Sequence, residues 1–309
     1  MPRHSNYPGG FSGGVTVRGM PILNSYGGKV IWVDSTASST GTKGTFDRPV
    51  LSVNTAMNLC TANNGDIVML KPGHTEDLDA ATDVVVDVAG VAIIGLGGGA
   101  ARPTFTYSGT AGSFEVDAAN TTIQNVLFKT SVSAAVVGVN VDAANCVFEQ
   151  CEWNFDATGD DFLIFVDCED VAGTEFLGCR FISEDLLGSN EAIRLDNADN
   201  TRIVGNHFFG KWANGAIWSD TTGDTGDGST VCTDLLISEN QIYNSDTVNG
   251  IAVQIDNPDT GIISYNALSG PTGGTVAALL DPGSCMCIEN YGSNIIDASG
   301  VLIPSTTAT

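Results

Sequence analysis

The sequence predicts an all-β chain, a single-stranded parallel β-helix (a solenoid) of about 25 residues per coil, with an N-terminal capping helix and an extended N-terminal arm. Three observations carry this. The pentapeptide VDAAN occurs twice, at Val116–Asn120 and Val141–Asn145. An apolar stretch ending in Asp recurs at Asp117, Asp142, Asp167, Asp196, Asp220, Asp256 and Asp281, in steps of 25, 25, 29, 24, 36 and 25, with Asp87 as an earlier member. Roughly ten residues after each Asp, a second pattern follows, apolar-x-x-(Asn or Cys)-x-apolar. It places Cys151, Cys179, Asn206, Asn240, Asn266 and Asn290 in one register, with Val126 at the equivalent earlier place. Two patterns with one period mark a repeat architecture. The repeating segments are short, rich in Val and Ile, and bounded by Gly, Asn and Asp, which reads as strand.

The elements follow in chain order. Residues 1–28 are rich in Gly, Pro, Ser and Asn and read as the arm. Residues 29–66 hold a leading strand, KVIWVDS, and the capping helix. Pro49 suits a helix start, and Val50, Val53, Ala56, Met57 and Cys60 lie at helical spacing. NNGD is a turn, and IVMLKPG opens the β-helix proper, residues 67–296. Residues 297–309 form a C-terminal tail. The cap is expected because the end coil of a solenoid otherwise exposes apolar surface and unpaired edges.

In stacked coils the Asn and Cys register becomes an interior corner ladder. There Asn tolerates unusual backbone angles and its amide bonds the next amide in the column. Carboxylates stacked at coil pitch repel, so the Asp register is expected at exposed turns, with a cation channel as the alternative.

Composition limits the function. The net charge is −24, from 36 acids against 12 bases. Such a surface repels phosphate, so nucleic acid and anionic membrane are not expected partners. It suits either solubility or divalent cations. The first residues, MPRHSNYPGG, lack the apolar core of a secretory leader, and the longest apolar run, about Val84–Leu96, is too short to span a bilayer. Synthesis in a cytoplasm is the expectation. The eight cysteines form no CxxC pair and no zinc spacing. Buried reduced thiols are expected, with a Cys151–Cys179 disulfide as the alternative.

The strongest catalytic candidates are Asp160, Asp161, Glu184, Asp185, Arg194 and Asp196, because paired carboxylates in successive loops can separate their pKa values into acid and base. Trp153, Trp212 and Trp218 are candidate sugar-stacking surfaces, and DTGDG, within Thr221–Thr233, is an acidic Gly-rich loop. Thirty-six acids make such neighbours common by accident, and His4, His74 and His207 are scattered. No catalytic, cofactor-binding or metal-ligating residue is therefore assigned.

WVDS, GTFDRPVLSVNTAMNLC and GDIVMLKPGHTE together resemble the leading segment of the pectate-lyase-like right-handed β-helix superfamily, and the likeness runs on through the repeats to about residue 296. The resemblance implies a right-handed coil. It does not fix a function, since that superfamily includes polysaccharide lyases, hydrolases, epimerases and virion proteins. PGHTE behind a Gly-rich arm is most similar to structural proteins of tailed bacteriophages. The resemblance therefore implies a non-enzymatic virion protein, a head decoration or fibre protein held to capsid or other virion proteins through residues 1–28. It also implies a homo-oligomer, with a trimer as one form. The alternatives are a tail fibre or tailspike, a free polysaccharide lyase or hydrolase, and a carbohydrate-binding receptor module.

Overall fold

In the computed structural model, residues 27–38, 43–184, 188–219, 231–248, 250–271 and 279–293 are described in full, with backbone alone at 15–17, 20–22, 294 and 298–301. The chain winds into a right-handed parallel β-solenoid of about eight turns. Each turn adds one strand to each of three parallel sheets. Sheet 1 has ten strands, from Val30–Val33 and Ile67–Leu70 to Met286–Ile288. Sheet 2 runs from Thr75–Leu78 to Tyr291–Asn294 and closes with Ala298–Val301, which folds back antiparallel. Sheet 3 has eight strands, from Val84–Val86 to Leu280–Asp281.

The core follows from strand alternation, since side chains two apart share a face. On sheet 2 the inward column is Phe105, Phe128, Trp153, Phe181 and Phe208, in register across five coils. Their rings stack in sequence at 5.8, 5.0, 4.6 and 4.6 Å, close to the pitch of parallel strands. Sheet 1 contributes Val68, Ile93, Ile123, Phe148, Phe176 and Ile203, all fully buried.

The corners explain both sequence repeats. Between sheets 1 and 2, each corner side chain donates to a sheet 1 carbonyl one coil back. Cys151 Sγ reaches Ile123 O and Cys179 Sγ reaches Phe148 O, each at 3.4 Å. Asn206, Asn240, Asn266 and Asn290 repeat this toward Phe176, Ile203, Ile237 and Ile263 at 2.8–3.0 Å. Each Asn Oδ1 also accepts the backbone N–H of the preceding rung, as Asn240 does from Asn206 at 2.9 Å. The ladder is thus a set of completed amide bonds, as the spacing predicts. The left-handed backbone, however, belongs to the residue before each rung: Asn125, Gln150, Gly178, Gly205, Glu239, Tyr265 and Glu289 all have φ between 45° and 68°. The rung itself is free to turn its side chain inward. VDAAN marks the other corner, from sheet 3 to sheet 1, where Asn120 (φ 60°) and Asn145 (φ 57°) take the left-handed conformation that Asn tolerates.

At the N-terminal end the helix, α1, spans Val53–Met57 and not the turn at Pro49. Ser52 caps it by accepting from Thr55 N, while Val50 is held in a strand-like bridge to Val33 and so is unavailable to a helix. Asn54 of α1 donates to Asp83 O, just before the first strand of sheet 3, and accepts from Val85 N on it, and Glu76 on the first strand of sheet 2 accepts from Val53 N. Buried Asp66, from the NNGD turn, accepts from Lys29 N, Thr61 N and Asn64 Nδ2, which ties the leading strand to the first coil. Most of the arm, residues 1–28, lies outside the described residues. Within it Val15–Val17 pairs antiparallel with Met20–Ile22. Most of the tail, 297–309, likewise lies outside. All eight cysteines are free thiols, Cys151 and Cys179 included.

Candidate functional site

The outer face of sheet 3 concentrates the acids. Its strands Phe114–Val116, Ala135–Val141, Phe162–Glu169 and Ser189–Asp196 pair so that two polar columns run along the shaft. One column sets Glu115, Asn140, Asp167, Arg194 and Trp218 side by side. The next sets Glu169 beside Asp196, with Asp117 and Asp142 one residue past paired Val116 and Val141. The Asp register therefore needs correction. Asp167 aligns with Arg194, and Asp281 aligns with Gln254, so both leave the Asp column, and Glu169 takes the vacated rung. The column is also not uniformly a row of exposed turns: Asp117 and Asp142 are exposed, but Asp196 is buried. Asp220 lies outside the described residues.

Glu115, Asp117 and Asp142 bring carboxylate oxygens within 4.8 Å of one another. Partial withdrawal from water in this crowded cluster, and then the neighbouring carboxylates led by Glu115, raise Asp142 to about 6 and push Asp117 up from the usual carboxylate range, although both residues keep an exposed edge. Asn140 Nδ2 donates to Asp142 at 2.9 Å. A shallow groove of about 410 Å³ lies alongside, lined by Gly112, Ser113, Glu115, Val136, Asn140 and Glu169. Gly112 is required there, because a Cβ would lie 2.3 Å from Leu78 O. Arg194 supplies positive charge to this face, and its guanidinium is bound by both oxygens of Asp167. Such a face can attract cations and hold a proton near neutral pH.

The catalytic candidates divide between this face and the interior. Asp161 is 2 % exposed. It accepts from Ser189 Oγ at 2.7 Å and Ser183 Oγ at 3.3 Å, and burial raises it to about 7 against those bonds. Glu184 is buried close enough to act on it electrostatically, so those two candidates lie in one neighbourhood, beneath the corner between sheets 2 and 3. Asp160 closes a surface turn with Ala157. Asp185 lies outside the described residues, as does the DTGDG loop. Trp153 and Trp212 are fully buried, Trp153 as the third ring of the aromatic stack, so neither can receive a sugar. Trp218 faces outward beside Arg194. Sequence reasoning missed Glu115 and Glu169. The signal was Glu115 two residues before Asp117, on the same face of one strand.

No protein-family model matches the chain, and no curated protein matches its sequence. Solved structures do match its fold. A pectate lyase, Pel9A, superposes with a TM-score of 0.54 at 16 % identity over 89 % of this chain and 72 % of its own. A rhamnogalacturonan lyase gives 0.48 at 14 % identity over 91 % and 85 %, and ORF18 of Geobacillus virus E2 gives 0.42 at 16 % over 85 % and 61 %. The likeness to Pel9A is one of fold, the pectate-lyase-like right-handed parallel β-helix. Among the described residues no helix is long and apolar enough to cross a membrane.

Proposed function

We propose that this chain is a non-enzymatic structural component of a bacteriophage particle, a head decoration or fibre protein that presents the solenoid as a rigid acidic shaft. Residues 1–28 anchor it to capsid or other virion proteins. One observation supports a structural over a catalytic reading: the side chains that sugar chemistry would use serve the scaffold. Trp153 and Trp212 fill the core, Asp161 is enclosed by Ser183 and Ser189, and Arg194 is bound to Asp167. The resemblance of the leading segment to tailed-phage structural proteins supplies the particle.

The test is copy number in purified particles, by quantitative mass spectrometry against the major capsid protein. Hundreds of copies are expected for a head decoration. A few to a few dozen would move the protein to the tail or a vertex. Absence would overturn the reading and return a polysaccharide lyase or hydrolase to first place. Deleting residues 1–28 is expected to abolish incorporation while leaving the β-sheet circular dichroism unchanged.

A further inference from the structure

Sheet 1 differs from the other faces in what it turns outward. Its ten strands pair without a register shift. On either side of the buried column run two outward columns that extend the length of the shaft. One begins with Val30, Ile67 and Ala92 and ends with Leu236, Ile262 and Met286. The other includes Trp32, Met69, Ile94, Leu177, Val204 and Ile288. Val30 is 46 % exposed, Ile262 41 % and Met286 63 %. Charge enters these columns at Glu149, Glu175 and Arg202, and the last two neighbour each other across coils, 3.7 Å apart. A chain of net charge −24 thus turns a mostly apolar face outward along sheet 1, with little net charge on it.

We propose that the outer face of sheet 1 is an interface between copies of this chain, with shafts lying side by side, sheet 1 against sheet 1. Two arguments select a second copy as the occupant. The first is charge. Copies this acidic repel through sheet 3, where Glu115, Asp117, Asp142 and Glu169 lie, and meet far less electrostatic penalty through sheet 1. A basic partner would choose the acidic face, and an anionic membrane surface would be repelled. The second is area. Ten strands at about 4.8 Å pitch make a face about 43 Å long, and three to four residues per strand make it about 10–12 Å wide. Two such faces bury on the order of 1,000 Å², the size at which specific interfaces begin. Exposed Tyr265, which follows Ser264 at the edge of sheet 1, extends the patch at its Met286 end. This inference does not rest on the proposed function, since association through sheet 1 is expected whether or not the chain enters a particle.

Sedimentation equilibrium of the full chain at micromolar concentration tests it. The expected mass is a multiple of 32.0 kDa, persisting at high salt, where repulsion between copies is screened. Val147→Glu with Ile262→Glu, both outward on sheet 1, is expected to return the mass to 32.0 kDa with unchanged far-ultraviolet circular dichroism. Phe209→Glu, outward on sheet 2, is expected to leave the oligomer intact. Should the double variant not fold, the single variant Ile262→Arg reads the same question. A wild-type monomer, a folded sheet 1 variant that keeps the wild-type mass, or dissociation by Phe209→Glu would each overturn the proposal.

Discussion

Asn240 makes four hydrogen bonds through one side chain. Its amide nitrogen donates to Ile203 O and Asn266 Oδ1, and its Oδ1 accepts from Asn206 N and Asn206 Nδ2. All lie in the interior, so Asn240→Ala strands groups that water cannot reach. Each stranded group costs about 1–3 kcal/mol, so a loss of about 3 kcal/mol or more is expected in urea unfolding. Asn240→Cys is expected to cost less, because Cys151 and Cys179 fill the same corner and still reach the carbonyl below. Equal losses for the two variants would show that the amide ladder contributes nothing beyond volume. The thiols themselves are expected to be inert. Burial pushes Cys146 up to about 11 and Cys232 to about 12, and both are enclosed, so thiol titration should find them only after unfolding.

Strands set what the sequence could and could not disclose. The corner ladder was legible because Asn at a tight corner has one inexpensive role, and because the motif fixes the strand after it. FEQCEW puts Trp153 at the same terminal apolar place that Phe181 and Phe208 occupy, so its burial was written in the repeat that identified the corner. The Asp register misled for a physical reason. Strand Phe162–Glu169 runs two residues beyond Asp167 before it turns, and a slip of two keeps every side chain on its own face. Inside–outside alternation therefore could not expose the error, and only backbone pairing does. The result is that Asp167 meets a cation instead of another acid. With Asp167 buried, Arg194→Met leaves a carboxylate without its guanidinium and is expected to destabilise the fold by about 3 kcal/mol. Adding Asp167→Asn is expected to recover most of that loss, and a double-mutant cycle measures the coupling. Additive effects would mean that the pair is not a unit in solution.

Across the whole molecule, the acids make stability depend on pH in an uncommon direction. In most proteins carboxylates are paired in the fold and their pKa values fall, so acid destabilises. Here Asp34 and Asp66 behave that way: Thr36 bonds lower the first, and bonds from Lys29, Asn64 and Thr61 outweigh burial in lowering the second. The larger shifts run upward from a usual value of 3.8, with Asp161 at about 7 through burial and Asp142 at about 6 through partial desolvation and then its neighbouring carboxylates. For a raised carboxyl the folded state holds the proton more tightly than the unfolded chain. Its contribution is fully present below the unfolded pKa and is lost as pH rises through the folded one. The unfolding temperature is therefore expected to fall between about pH 4 and pH 7, while the lowered pair erodes stability only below about pH 4. Asp161 is far more buried than Asp142, and its neutral form still accepts from Ser189. Asp161→Asn, which stays neutral, is expected to raise the unfolding temperature at pH 8, leave it nearly unchanged near pH 4, and so flatten the profile. Calorimetry across that range decides the matter. A wild-type profile that is level or climbs toward pH 8 would mean that water or counter-ions reach these carboxyls and hold them ionised in the folded shaft.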